Sequence, residues 1–537
     1  MKLRTMLITA LALLLSAAAH TAALAGPAPA EPSLLQSAED DIKKWKIDEA
    51  SQKAGDLLRA ADTEDKKLEA WYLNAIVEFY KGNYEKAGEY AGMVLENSKD
   101  EDKGQGFIGF IAHASKNRPD WKEVDSDNFI IRYAHPKDLV VAELGRDILE
   151  KSRYEIGLDL ETYPDDPVII EIYPDLESFT LASTLPPENV ETTGVVGICK
   201  FNRIMILSPR LLPKGYTWAD TLAHEYTHYL IFLKSENTVP VWLHEGIAKF
   251  EEARWRQEKR NVLTPFYETI LADALNNDSL VPIEKMHPSL AMLDSAREAQ
   301  LAFAQAGTSV SFLVDKWGND GLVALLDSMR KRDDYQTSIE EVTGLPFGDF
   351  MTSWRKDLEG KNLREMIPGM QVKGVRIIKD SGEEPDGSED LVDIDDKKAR
   401  DHTRLGDLLG ERGRLRAAVY EYGKALTFDP SSLVISTRMA TALSRQGEQD
   451  EALAAVEPIS ELYPDEIDVN LVLGRIFLAK GNTARAEESF TAALYVNPFD
   501  PHIHSALKAI YEAEGRKEEA EKYGRMLTIL GYQEQKK

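Results

Sequence analysis

The period of the apolar positions changes several times along the chain. After a continuous apolar run from Met6 to Ala19, residues from about Ser37 to Lys99 place apolar and small side chains at helical spacing. Trp71, Ala75, Gly82, Ala87, Ala91 and Val94 fall at the offsets of a 34-residue helix–turn–helix unit, and Ala54, Leu58 and Ala61 form a weaker copy 33 residues ahead of Ala87, Ala91 and Val94. One or two such units bury little alone, which predicts that this stretch packs onto the next part of the chain. The character changes at Asp120-Trp121. Asn128–Ala134 and Pro167–Tyr173 are short β-branched runs, and Leu139, Ala142, Leu144, Ile148 and Ile156 between them predict a helix over Leu139–Leu160. Gly194–Cys199 and Ile204–Ser208 read as two more strands, with Lys200-Phe201-Asn202-Arg203 as a hairpin loop. The period is then helical almost to Gly360, and a small sheet followed by helices is an α+β arrangement.

From Lys379 to Lys397 the pattern lapses: nine acids lie between Asp380 and Asp396, with Gly382, Pro385 and Gly387 and few apolar residues, the composition of a solvated linker. The D-x-D-x-D-G spacing of a calcium loop is absent. Beyond it Gly413, Gly447, Gly481 and Gly515 stand 34 residues apart, as do Pro430, Pro464 and Pro498, and Ala418, Ala452, Ala486 and Ala520. With Leu405-Gly406, Leu473-Gly474, Tyr422 and Phe490, this stretch resembles the tetratricopeptide repeat family over about Ala399 to Gly531. The resemblance implies four all-α repeats in an α-solenoid, with a protein partner on its polar concave face. The organisation expected is a signal peptide (1–25), an N-terminal helical repeat segment (37–119), an α+β unit (120–361), an acidic linker (362–398) and a C-terminal repeat domain (399–537).

The candidate chemistry lies in the α+β unit. Thr217 and Asp220 fit an N-cap and N3 pair, so a helix is expected from Trp218 to about Leu233. Leu222, Tyr226, Tyr229, Leu230 and Leu233 cover one side of it; Thr221, His224, Glu225 and His228 share the other. His224-Glu225-x-x-His228 puts two imidazoles one turn apart with a carboxylate beside them, the spacing of a zinc hydrolase. A catalytic zinc takes three protein ligands and an open water position. A second helix after Pro240, through Trp242, Leu243, Ile247 and Phe250, carries Glu245 sixteen residues beyond His228 as the third ligand, with His244 as the alternative. One residue turns a helix by about 100°, so His244 and Glu245 are not expected to point at the same ion. Glu251 and Glu252 read as a solvated face, and Ile231 and Lys234 break the longer H-E-x-x-H-x-x-G-x-x-H pattern.

Leu222-Ala223-His224-Glu225-Tyr226-Thr227-His228 and Val239-Pro240-Val241-Trp242-Leu243-His244-Glu245-Gly246-Ile247-Ala248 resemble the gluzincin metallopeptidases, in particular the peptidase MA-like family of exported bacterial proteins, over about Asn128–Leu358. The resemblance implies an α+β zincin-like metallopeptidase fold, one Zn²⁺ per chain on His224, His228 and Glu245, and Glu225 as general base. Family members often carry a tyrosine in a later helix, where this chain has Phe303; a tyrosine hydroxyl can donate to the tetrahedral oxyanion, and His287 is a substitute to weigh. The function expected is zinc-dependent hydrolysis of a peptide or protein substrate, with Gly194–Cys199 or Ile204–Ser208 as an edge strand that holds an extended substrate. The alternatives are a catalytically weak or inactive repeat scaffold, and a zinc amidase acting on cell-wall peptide or a non-peptide amide.

Composition narrows the setting. A net charge of −27 over 537 residues argues against nucleic acid as a partner. Lys2 and Arg4, the short apolar run and Ala23-Leu24-Ala25 before Gly26 make a cleavable signal peptide the expectation, with an uncleaved anchor as its competitor, and no stable membrane span in the mature chain. The single cysteine, Cys199, permits no internal disulfide and reads as a buried strand residue. Together these point to a bacterial protein that is periplasmic or secreted.

Overall fold

A computed structural model describes residues 33–98, 106–186, 195–257, 262–287, 289–290, 293–332, 334–365, 391 and 393–532. The signal peptide expected over 1–25 and most of the acidic linker lie outside these residues. The chain is mostly helical with one small mixed sheet. Five helices come first: α1 (Leu34–Lys43), α2 (Ile47–Ala60), α3 (Glu64–Tyr80), α4 (Tyr84–Asn97) and α5 (Phe107–Lys116). Ala54, Ala87, Ala91 and Val94 are fully buried between them, whereas Leu58 of the weaker sequence copy is exposed.

The sheet comes next. Strands β1 (Lys122–Asp125), β2 (Phe129–Tyr133), β3 (Val168–Tyr173), β4 (Gly197–Lys200) and β5 (Arg203–Leu207) take the order β1-β2-β3-β5-β4, with helix α6 (Leu139–Leu160) crossing from β2 to its parallel neighbour β3 and helix α7 (Leu176–Ser183) after β3. β2, β3 and β5 run parallel; β1 and β4 are the antiparallel edges. The hairpin between β4 and β5 is tighter than the four residues expected. Lys200 pairs with Arg203, and the turn is Phe201-Asn202 alone, both with positive φ, the backbone whose twist matches that of the strands. The alternative substrate strand, Ile204–Ser208, is β5, which is flanked on both sides and offers no free edge.

Both faces of the sheet are covered, which accounts for the unbroken burial of Val-Ile-Ile-Glu-Ile-Tyr in β3. Val168, Ile170, Ile172, Phe129, Ile131, Ile204 and Ile206 face the core shared with α6 and the helices C-terminal to the sheet. Tyr173, Met205 and Leu207 face the N-terminal helices. Glu171 points the same way, is fully buried, and accepts hydrogen bonds from the Tyr84 hydroxyl (2.9 and 2.7 Å) and the Tyr173 hydroxyl (2.7 Å). Arg132 Nη1 (3.4 Å) and Arg203 Nη1 (3.7 Å) neutralise it, and the Arg203 guanidinium donates to Phe79 O and lies over the Phe79 and Tyr84 rings. The N-terminal helices are thus bonded to the sheet, as their small size requires.

After β5 come α8 (Trp218–Ser235), α9 (Val241–Glu251), α10 (Pro265–Asn276), α11 (Ala296–Lys331, broken at Gly318), α12 (Tyr335–Thr343) and α13 (Phe347–Glu359). The C-terminal part is four helix pairs: α14 (Lys397–Glu411) with α15 (Leu415–Leu426), α16 (Leu433–Gln446) with α17 (Gln449–Leu462), α18 (Ile467–Ala479) with α19 (Thr483–Leu494), and α20 (Pro501–Glu514) with α21 (Lys517–Ile529). Gly413, Gly447, Gly481 and Gly515 each end the first helix of a pair with φ between 72° and 86°, a conformation that a side chain disfavours, so the 34-residue glycine period is the period of the turns.

These repeats pack directly on the residues that lead into α8. Trp218, wholly buried, donates its indole N–H to Leu494 O (2.9 Å); Tyr216 N–H donates to Val496 O (3.1 Å); and Lys214 pairs with Asp468 (2.8 Å). Lys522 also reaches Asp147 of α6 (2.6 Å), and Trp255 meets Tyr495 edge-on at 4.9 Å.

Candidate metal centre

Helix α8 runs two residues beyond the expected end and begins where expected, but its cap differs. The Thr217 side chain makes no capping bond, and Asp220 instead accepts from the Trp255 indole (3.1 Å) and Arg256 Nε (2.8 Å), tying α8 to the chain after α9. Nothing in the local sequence shows that partner, because it lies more than thirty positions away.

His224 and His228 project from one side of α8, their ring centroids 4.7 Å apart, and donor atoms of His224, Glu225 and His228 all lie within 4.8 Å of one another. Glu245 enters from α9. Its Oε2 is 3.3 Å from Nε2 of His224 and 3.3 Å from Nε2 of His228. Both carboxylates are therefore near the histidines, and their surroundings separate them. Glu225 lies against β4, where a Cβ on Gly197 would stand 2.9 Å from its Oε1. Glu245 faces the two Nε2 atoms, which makes it the third member of the donor set, with Glu225 adjacent.

Gly246 explains how α9 reaches this position. A Cβ there would lie 2.7 Å from Ala306 O, so only glycine lets α9 settle on the backbone of α11. Trp242, packed on Tyr335 and Phe347, anchors the same helix from its other side.

One expectation about α9 is corrected. Glu251 and Glu252 are not a solvated face: Glu251 is fully buried, and Glu252, paired with Lys249, lies 3.4 Å from Nδ1 of His224. His244, as expected, does not share the position of Glu245; its Nδ1 lies 2.6 Å from Nδ1 of His228, so Glu245 and His244 hold opposite edges of one imidazole. Helical projection correctly separated the two residues and missed that His228 lies between them.

The electrostatics follow the contacts. Burial works against a charged His224, yet its bonds to Glu245 and Glu252 hold its pKa up at about 10. Burial likewise opposes the Glu245 carboxylate, but His228 and His224 hold it well below the usual range. Burial raises Glu225, with His228 and His224 pulling back. His244 is pushed well down, first by burial and then by His228, and is neutral. A cation held by these atoms would compete with a proton for them.

Phe303, on α11, lies with its ring centroid 6.4 Å from that of His224, so the residue that replaces the expected tyrosine does border the site. His287 is exposed at the end of the 3₁₀ turn Ile283–Met286.

Comparison with known proteins matches residues 155–360 to the peptidase MA superfamily, and residues 437–502 and 471–531 to the tetratricopeptide repeat. Members of the former are typically metal-dependent. Among curated proteins the chain is 29% identical over 129 residues to DnaJ homolog subfamily C member 3 of Rattus norvegicus, 24% of this chain and 25% of that protein. It is 30% identical over 110 residues to the anaphase-promoting complex subunit CDC16 of Saccharomyces cerevisiae, 20% of this chain and 13% of that one. The chain spans a quarter or less of the length of these relatives. Among solved structures, MamA aligns at 19% identity over 27% of this chain and 84% of its own, with a TM-score of 0.24. The APC/C hetero-tetramer Cut9–Hcn1 aligns at 13% over 94% and 80%, with a TM-score of 0.27. No described helix is long and apolar enough to cross a membrane. The motifs and the comparisons agree, and the chain combines a peptidase MA superfamily segment with tetratricopeptide repeats.

Proposed function

We propose that this chain is a zinc-dependent peptide hydrolase of the gluzincin type, with a zincin-like catalytic unit, acting in a bacterial periplasm or after secretion, and using its repeats to engage a protein partner. The observation that carries the reading is the approach of two imidazole Nε2 atoms to one oxygen of Glu245, each at 3.3 Å. Ligands bound to zinc at about 2.0–2.1 Å in tetrahedral geometry stand about 3.3–3.4 Å apart, so the donor set has the size as well as the chemistry of such a site. His224, His228 and Glu245 would hold the ion. Bound there, zinc supplies a polarised carbonyl and a water acidic enough to lose a proton near neutral pH.

The protein side of the reaction falls to Glu225. It takes the proton of the attacking water and returns it to the leaving amine, and burial beside β4 makes it a stronger base than an exposed glutamate. Among the described residues β4 is an edge strand that runs past Glu225, so it would offer an extended peptide a line of backbone partners; a proline placed in β4 should then weaken cleavage.

Phe303 favours one competing reading, a scaffold with weak or no catalysis, because it puts a ring without a hydroxyl beside His224. Two measurements separate the readings. Purified protein should hold about one zinc, which Glu245→Ala loses; Glu225→Gln should keep the zinc and stop cleaving an unbiased peptide library. Zinc retained by Glu245→Ala would remove the ligand assignment, and a zinc-loaded wild type that cleaves nothing would leave the scaffold.

A further inference from the structure

His228 is held by both ring nitrogens, and the partner on the side away from Glu245 is another imidazole. Nδ1 of His228 lies 2.6 Å from Nδ1 of His244, a distance at which one nitrogen carries the hydrogen and the other accepts it. His244 is 7% exposed, its ring against Phe232 at 4.5 Å between centroids, and its Nε2 has no hydrogen-bond partner among the described residues. It does not face the Glu245 oxygen that lies between the two Nε2 atoms, so it is not a fourth donor there.

The single shared hydrogen has two positions with different consequences. If His244 Nδ1–H donates to His228, then His228, when neutral, carries its own hydrogen on Nε2 and points an N–H, not a lone pair, at Glu245. If His228 Nδ1–H donates to His244, the His228 Nε2 lone pair is free to bind a cation, and His244 keeps a hydrogen on its unpartnered Nε2. Ring orientation and tautomer of His228 are therefore set together by the residue that precedes Glu245.

We propose that His244 is a positioning residue for the metal site: by accepting the Nδ1 hydrogen of His228 it presents the His228 Nε2 lone pair to the ion. A metal-binding imidazole is ordinarily held by a carboxylate, carbonyl or water on its other nitrogen, and such partners matter to affinity. Here a histidine fills that role from the helix that also supplies Glu245, so one turn of α9 provides both a donor and the support of a second donor. This rests on the reading that His228 binds zinc.

The test is zinc affinity, measured by chelator competition on the full chain, for wild type, His244→Asn, His244→Leu and His244→Ala. Asn retains an acceptor oxygen on a short side chain; Leu and Ala retain none. The expected result is a loss of about 10- to 100-fold for Leu and Ala, with Asn recovering most of it. Substitution with Co²⁺ adds a readout that a merely structural role would not move: the visible absorption of the Leu and Ala variants should change, while that of Asn stays close to wild type. Should Leu fail to fold, Asn against Ala decides the matter. Zinc bound equally tightly by wild type, Leu and Ala would overturn the role of His244 alone. A wild type that binds no zinc would overturn it together with the function proposed above.

Discussion

Glu171 tests how the N-terminal helices are held to the sheet. It is fully buried in β3 and takes hydrogen bonds from Tyr84 and Tyr173 while balancing Arg132 and Arg203, the latter 1% exposed. Glu171→Ala leaves the Arg203 guanidinium buried with no carboxylate partner among the described residues, whereas Arg132 keeps Glu123. Breaking a buried pair in this way costs about 3–5 kcal/mol, and the two tyrosine hydroxyls lose their acceptor as well. Because a chain of several units need not unfold in one step, the loss should be read locally, by native-state hydrogen exchange of the β3 amides and of α3 and α4. About 3–5 kcal/mol corresponds to exchange faster by roughly 10²- to 10³-fold or more. Adding Arg203→Met should recover part of the loss, because the unpaired charge goes with it. A change below about 1 kcal/mol for Glu171→Ala, or an Arg203→Met change that simply adds to it, would refute this account.

Three further outcomes are expected. Gly215 has φ +75° and a Cβ there would stand 2.1 Å from Val496 O; Gly215→Ala should therefore loosen the repeats from the start of α8 by about 2–3 kcal/mol, visible as faster exchange at Tyr216–Leu222. Burial pushes Asp138 up to about 6 despite Ser208 and Arg210, so its contribution to stability is full at low pH and is lost as pH rises from about 4 through about 6. Asp138→Asn should flatten that part of the stability–pH curve and stabilise the protein at pH 7–8; an unchanged curve would remove Asp138 as its cause. Phe303→Tyr, which restores a hydroxyl beside His224, should raise kcat by on the order of tenfold to a hundredfold at unchanged zinc content, and no rise would mean that this hydroxyl is not the missing donor.

What could be read from the sequence was what repeats or what chemistry fixes at short range. The 34-residue period of glycine, alanine and proline gave the C-terminal helix pairs, because each unit solves the same packing problem with the same residues. Helix α6 was legible end to end from its apolar spacing, and α8 nearly so. Strand β1, Lys-Glu-Val-Asp, carried no β-branched run and forms only because β2 offers it an edge. Glu251 and Glu252 read as solvated since charge on a helix usually means water; the contact of Glu252 with His224, on another helix, is not visible in the local pattern. For His244 the sequence raises only the question of a ligand; its bond to His228 depends on the angle at which α9 crosses α8, which no local pattern encodes.

The bond from the Trp218 indole to Leu494 spans 276 positions. Trp218 opens the helix that carries His224 and His228, so that helix is fully covered only with the third helix pair docked on it. A chain cut short before Leu494 would leave the Trp218 indole without its acceptor, and the metal-binding helix would be the first part of the central unit to feel the loss.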